Sequence, residues 1–436
     1  MELNNGEDTG WLEAWRSRAR DSLEKYRGAG LRVLFQNFMS LSVLQAANYL
    51  LPLIVLPYLV RVIGIEKFGL IVFAQAVIQY FNIVTDYGFH LSATREIAVN
   101  RNDPQKISTI FSAVMIIKSI LAILCLGILV ILIALFDKFG SEATVYLLTF
   151  GTVIGNLLFP TWFFQGMEKM KYITLLAVLG RVIYLLLLFI FVHQESDYVT
   201  VPLLNSIGMI ITGLVSTFVV LSKFKVRLHM PAFGDVMQEF KDSSQYFLSR
   251  ISVSIYSSFN TVILGFFTTN EAVGFYAAAE KLFIAMRSAF NPLVQALYPY
   301  MAARSNVSFF KKVFAMSVGA STVLAVAVFV FSDFIIQTIF GAGFELSSQL
   351  LRLFTVVVPF VMASILLGYP FLAALGREKY ANFSIAIGSV VHLFLIALLI
   401  PIISPIAVAA AMIVTQLVVL AIRIHGVKKH QLWKIP

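Results

Sequence analysis

The chain has 436 residues, of which 59% are hydrophobic and 13% charged, and carries a formal net charge of +10. A soluble domain is about 25% charged and a single aqueous core stops growing near roughly 250–300 residues, so the composition excludes a soluble globular enzyme and points to lipid as the solvent. The single cysteine, Cys125, excludes a disulfide framework and a thiolate metal site.

Residues 1–36 open with the polar MELNNGEDTG and continue into a charged stretch with Trp11, Leu12, Trp15, Ala19, Leu23 and Tyr26 at helical spacing. That pattern predicts an amphipathic segment on the cytoplasmic membrane surface, with a solvated tail as the alternative. It lacks the short apolar core and cleavage site of a secretory signal.

A bilayer core takes about 20 apolar residues to cross. Six such runs follow in residues 37–221, at 37–60, 69–90, 109–136, 142–164, 172–192 and 199–221. After a basic linker at 222–242, six more fill 243–425, at 243–268, 273–299, 313–332, 348–374, 380–400 and 405–425, and a tail closes the chain at 426–436. The fold class expected is an all-α membrane protein of about twelve transmembrane helices in two six-helix lobes. Of the 33 lysines and arginines, 24 fall on the side of the N-terminal tail, six within spans, and only Arg61, Lys67 and Lys138 on the other side. By the positive-inside rule both termini are expected in the cytoplasm.

The halves echo one another. Pro160, Gly166, Glu168 and Lys169 in FPTWFFQGMEK recur as Pro370, Gly376, Glu378 and Lys379 in YPFLAALGREK, and Glu66 and Gly69 recur as Glu271 and Gly274. Duplication of a six-helix unit, with parallel repeats, is a transporter architecture.

Polar residues inside spans cost free energy and so face a cavity or a partner. On the first span Ser42, Gln45 and Asn48 form a short stripe; on the second, Gln75, Gln79, Asn82, Asp86 and His90 form a longer one. The seventh presents Ser243, Arg250, Ser254, Ser257 and Thr261 on one face, and the eighth presents Glu280, Arg287 and Asn291, with Lys281 one position round. Arg287 and Lys281 lie near mid-span, whereas for Arg250, Lys118 and Arg181 snorkelling to the interface competes with a cavity role. The embedded cations Lys118, Arg181, Arg250, Lys281, Arg287 and Arg352 outnumber Asp86 and Glu280, so the interior favours an anion such as pyrophosphate or an acidic sugar. Asp86 and Glu280 are candidate proton or sodium sites; the competing readings are a pair between Asp86 and Arg95, and Glu280 as a counter-ion. His90 and His392 read as structural histidines. No Walker A loop, nucleophile elbow or HExxH appears, so neither ATP-driven transport nor a hydrolase is expected.

The stretch from Ser40 to Arg101, with LPYLVRV, FGL and DYGF followed by SATREI, and the segment Phe159–Met170 resemble the bacterial O-antigen flippases (Wzx) of the polysaccharide transport branch of the MATE-like MOP superfamily. The resemblance implies a V of two lobes around a central cationic cavity. It implies that the chain moves an undecaprenyl-pyrophosphate-linked oligosaccharide between leaflets of the bacterial inner membrane, without a cofactor or nucleic acid, beside other polysaccharide assembly proteins. A MATE-like multidrug or cation antiporter, and a membrane polymerase or glycosyltransferase on the same lipid carrier, are the alternatives.

Overall fold

The computed structural model describes residues 29–434, with side-chain detail for residues 54–247 and 259–433. Residues 1–28, with most of the expected amphipathic segment, and the side chains of Ser42, Gln45, Asn48, Arg250, Ser254 and Ser257 lie outside those described.

Sixteen α-helices follow in order: α1 Ala29–Asp86, α2 Ser92–Val99, α3 Pro104–Leu135, α4 Asp137–Gly140, α5 Ala143–Leu158, α6 Thr161–Gly166, α7 Met170–Phe191 and α8 Thr200–Lys223. Then come α9 Phe233–Phe267, α10 Asn270–Ser288, α11 Asn291–Arg304, α12 Val307–Val330, α13 Ser332–Phe340, α14 Glu345–Leu366, α15 Glu378–Leu399 and α16 Pro405–Lys429. Short 3-10 turns and one π-helical segment, Leu367–Ala373, connect them. Every predicted span falls on one of these helices or on a consecutive pair. The linker is shorter than expected, because α9 begins ten residues ahead of Ser243.

Local chemistry fixes the ends. Asp103 accepts hydrogen bonds from the amides of Gln105 and Lys106 at the start of α3, with Pro104 in the first turn. Ser404 and Pro405 do the same for α16. Gly64, at φ 75°, breaks α1 where the first and second predicted spans meet.

Eight of the described helical segments are long and apolar enough to cross a membrane, among them α3, α7, α8, α12, α15 and α16. Their outward faces are themselves apolar: Ile120, Ile123, Leu124, Ile128 and Ile131 on α3 are all exposed, as lipid contact requires and water would forbid. Helices α1, α9 and α10 carry the polar stripes.

Helices α1, α3, α5, α7 and α8 pack on one another, and α10, α12, α14, α15 and α16 form a second set. Without a hydrophobic driving force between helices in lipid, small residues let backbones approach. A Cβ on Gly213 of α8 would sit 2.7 Å from the Gly155 carbonyl oxygen of α5. In the second set the π segment bends the chain at Gly368, and the buried Arg423 of α16 braces the bend by donating from Nε to the Ser384 hydroxyl and from Nη1 to the Ser364 carbonyl at 2.6 Å. A Cβ on Gly368 would meet that guanidinium at 2.7 Å.

The repeated motifs form the same turn twice. Glu168 (φ 56°) and Gly376 (φ 72°) are left-handed. Lys169 N donates to Phe164 O and Glu168 N to Gln165 O, while Arg377 N donates to Leu372 O and Gly376 N to Ala373 O. These are paired 6→1 and 5→2 bonds of one helix-terminating motif. The structural offset between the two turns is 208 residues, two fewer than the sequence echo, because the second copy is approached through a π segment and the first through a break at Phe159 and Pro160.

The other repeated pair meets face to face. A Cβ on Gly69 of α1 would lie 1.7 Å from the Asn270 carbonyl oxygen of α10, and one on Gly274 would lie 2.6 Å from the Ile65 carbonyl oxygen. Gly69 and Gly274, which echo each other in the sequence, thus bring the backbones of α1 and α10 into direct contact. The same junction is bridged by cations on carbonyls at helix C-termini, where the helix dipole favours positive charge. Lys138 Nζ donates to Thr268 O at 2.6 Å, and Arg61 donates to Thr338 O at 2.7 Å and to Ile339 O at 3.1 Å.

Candidate functional site

A cavity of about 230 Å³ opens between α1, α7, α8 and α10. Its wall is largely aliphatic and aromatic, from Val55, Leu56 and Leu59 through Phe68, Ile71 and Val72 to Leu185. Into it project five polar side chains: Gln75, Arg181, Tyr184, Asn205 and Lys281. Gln75 lies on the second-span face of α1 that carries the predicted stripe. Arg181 and Tyr184 stand three residues apart on α7, and therefore on one face. Lys281 reaches in from α10, across the boundary between the two sets of helices.

The charge balance of this cavity is positive. Arg181 Nη1 is buried and has no hydrogen-bond partner among the described residues. Neither Arg181 nor Lys281 makes an ion pair with a described carboxylate within 4.0 Å. A guanidinium held in an apolar wall without a counter-ion is costly unless a guest supplies the charge. The arrangement can therefore bind a phosphate or carboxylate bidentately through Arg181, with Lys281 as a second point charge and Gln75, Asn205 and Tyr184 left for hydroxyls.

The remaining predicted residues divide. Arg287 is exposed and lines a separate narrow cleft with Phe283, Phe290, Val358, Val361 and Met362. Gln79 is exposed, and Asn82 is half-buried, with Nδ2 donating to Ile78 O and Oδ1 unpartnered. Asn291 begins α11 and is half-buried. Lys118, expected in the cavity, lies instead inside the first set of helices, 1% exposed, with Nζ 3.8 Å from Asp86 and donating to Asn156 O. Asp86 thus pairs with Lys118, 32 residues along the chain, and not with Arg95. Arg352 is not embedded either: it pairs with Asp333 and the Ser332 hydroxyl near a helix junction.

Glu280 stands beside Lys281, its Oε2 3.5 Å from the Thr261 hydroxyl. Behind it runs a buried chain: the Tyr276 hydroxyl accepts from Asn260 Nδ2 at 3.0 Å, Asn260 Oδ1 meets His392 Nε2 at 2.8 Å, and His392 Nδ1 meets the Thr415 hydroxyl at 3.1 Å. His392 is fully buried with both ring nitrogens partnered, as a structural histidine is. Sequence reasoning missed Asn205, Tyr184 and Arg423. Asn205 was legible as a lone amide in an apolar run; Arg423 had been counted with the basic flank of the last span.

The fold is that of the MOP-superfamily transporters. A lipid II flippase, MurJ, solved in an inward closed conformation, superposes with a TM-score of 0.70 at 13% identity, over 91% of this chain and 87% of that one. The family model for polysaccharide biosynthesis proteins matches residues 34–305, and the chain belongs to that family. Two relatives are each named "Putative O-antigen transporter". The one from Escherichia coli K12 is 34% identical over 62% of this chain and 65% of its own length, and the one from Shigella dysenteriae is 29% identical over 82% of this chain and 91% of its own.

Proposed function

We propose that this chain is a flippase for an undecaprenyl-pyrophosphate-linked oligosaccharide, an O-antigen or related repeat unit, and that it works by alternating access in the bacterial inner membrane with both termini in the cytoplasm. The observation that carries the reading is the pair Arg181 and Lys281, one from each set of helices, lining a single apolar-walled cavity with no described ion pair within 4.0 Å of either. A headgroup bearing phosphates needs compensation for its lost hydration before it can cross, and those two cations supply it while a prenyl tail stays in lipid. The names of the relatives and of MurJ agree with this class of substrate.

Residues 37–221 and 243–425 act as two lobes that rock about the cavity, and differential binding in the two states sets direction. Arg287 and Arg250 extend the cationic surface along the headgroup's path, and Gln79, Asn82, Asn291, Ser254 and Ser257, with Gln45 and Asn48, meet sugar hydroxyls. Glu280, next to Lys281, is the proton or sodium coupling residue; Asp86, already balanced by Lys118, is the weaker candidate.

The test is reconstituted flipping of a defined lipid-linked glycan by Arg181→Glu, Lys281→Glu and the double variant, alongside surface polysaccharide in cells. A reversed charge facing a phosphate costs several kcal/mol at low dielectric, so each single variant should lose at least about 100-fold in rate at unchanged membrane abundance. Wild-type flipping by the double variant would defeat the assignment.

A further inference from the structure

The first turns of α9, ahead of the span expected to begin at Ser243, lie against the first set of helices. Phe240 and Phe247 stack on either side of Tyr87 at centroid distances of 4.4 and 4.8 Å. Ser243 bonds the Ser92 hydroxyl at 2.7 Å, and Gly88 leaves no room for a Cβ, which would stand 2.7 Å from Tyr246 Cβ. Glu239 sits inside this seam. Its side chain is 9% exposed and its Oε2 has no hydrogen-bond partner among the described residues.

Glu239 also lines a pocket of about 30 Å³ with Lys106, Thr109, Ile110, Asp235 and Gln238. The volume suffices for a water molecule. The charges around Glu239 are mostly acidic: Glu96 faces it from α2, and Asp235 and Asp242 flank it on α9. Lys106 from α3 opposes them without forming an ion pair, and His229 of the linker reaches the pocket's rim through the Thr109 hydroxyl at 3.3 Å. Tyr87 lies one residue away, under Phe240.

We infer that Glu239 is a proton-binding site of the seam, protonated when the first turns of α9 rest on α2 and α3 and ionised when they part and water reaches the carboxylate. A buried carboxylate with no partner is held far more cheaply as the neutral acid. Burial, reinforced by Glu96, pushes its pKa up to about 7 from an ordinary 4.5. The sign follows: the docked seam binds the extra proton, so docking is favoured at low pH and is lost as pH rises through about 7. Between the undocked and docked pKa values the docking equilibrium changes tenfold per pH unit for one proton. Closing the linker end would thus take up a proton whatever the cargo is.

The experiment places spin labels at the exposed positions Val99 and Phe233 of the full chain in lipid nanodiscs and reads their distance distribution by double electron–electron resonance from pH 5.5 to 8.5. The docked fraction of the wild type should fall as pH rises toward about 7 and level off above it. Glu239→Gln should stay docked across the range, and Glu96→Gln, which removes a repulsive neighbour of the ionised carboxylate without touching Glu239, should leave a larger docked fraction than the wild type at pH 8.5. A wild-type docked fraction flat in pH would overturn the inference. So would a Glu239→Gln variant that keeps the wild-type pH profile, or docking that follows sodium concentration at fixed pH.

Discussion

Substituting Gly69 with alanine adds one methyl where the opposing group is backbone and has nowhere to go. That Cβ would stand 1.7 Å from the Asn270 carbonyl oxygen, half the 3.4 Å of ordinary contact, with the Gly274 amide nitrogen at 2.8 Å. Helices α1 and α10 must then part by more than an ångström at this contact. Overpacking of this kind costs about 1–3 kcal/mol, and because it is felt only in the closed state it shifts the open population by roughly 5- to 150-fold. Cysteines placed on either side of the Gly69–Gly274 contact should lose crosslinking yield in Gly69→Ala relative to wild type, with Gly127→Ala as control, since nothing lies within 4 Å of the Cβ there. Equal crosslinking in both variants, or a lowered melting temperature with no change in the open population, would refute the reasoning that the molecule opens by separating the two glycine faces.

Lys118→Met removes the buried ammonium that stands 3.8 Å from Asp86 and should destabilise the protein by about 3–5 kcal/mol, while Lys118→Met combined with Asp86→Leu should recover part of it; thermal unfolding in detergent separates the two. Arg61→Gln with Lys138→Gln removes cations from carbonyls at the C-termini of α9 and α13, each worth about 1 kcal/mol at a partly exposed site. Together they should raise the open population about tenfold or more in the same crosslinking assay, without changing the affinity of the cavity for a phosphate ligand.

The helices were legible because lipid imposes a length and a composition on each crossing, and the paired turns at Glu168 and Gly376 because Pro, Gly and charge recur where the chain must turn. The meeting of Gly69 with Gly274 joins two positions that echo each other in the sequence. Partnerships across helices were not legible. Lys118 and Asp86 occupy separate spans, and periodicity gives the face of a helix but not the neighbour it meets. Arg181 and Lys281 were both on the cationic roster, yet their convergence with Gln75 and Asn205 depends on how α7 and α8 pack against α1 and α10. Glu239 read as one more linker charge, since nothing local marks a carboxylate that tertiary packing will bury.

Helix α9 is 35 residues long, about 52 Å at 1.5 Å per residue. Near its start it stacks on Tyr87, and near its end Phe266 meets Phe73 of α1, while between these Asn260 bonds His392 of the second set. A tie-beam of this kind means the molecule is not hinged only at its linker. Any rocking of one half on the other has to slide or tilt a single rod anchored on both, so a disturbance at its linker end is carried mechanically to its other end, where Phe266 meets Phe73.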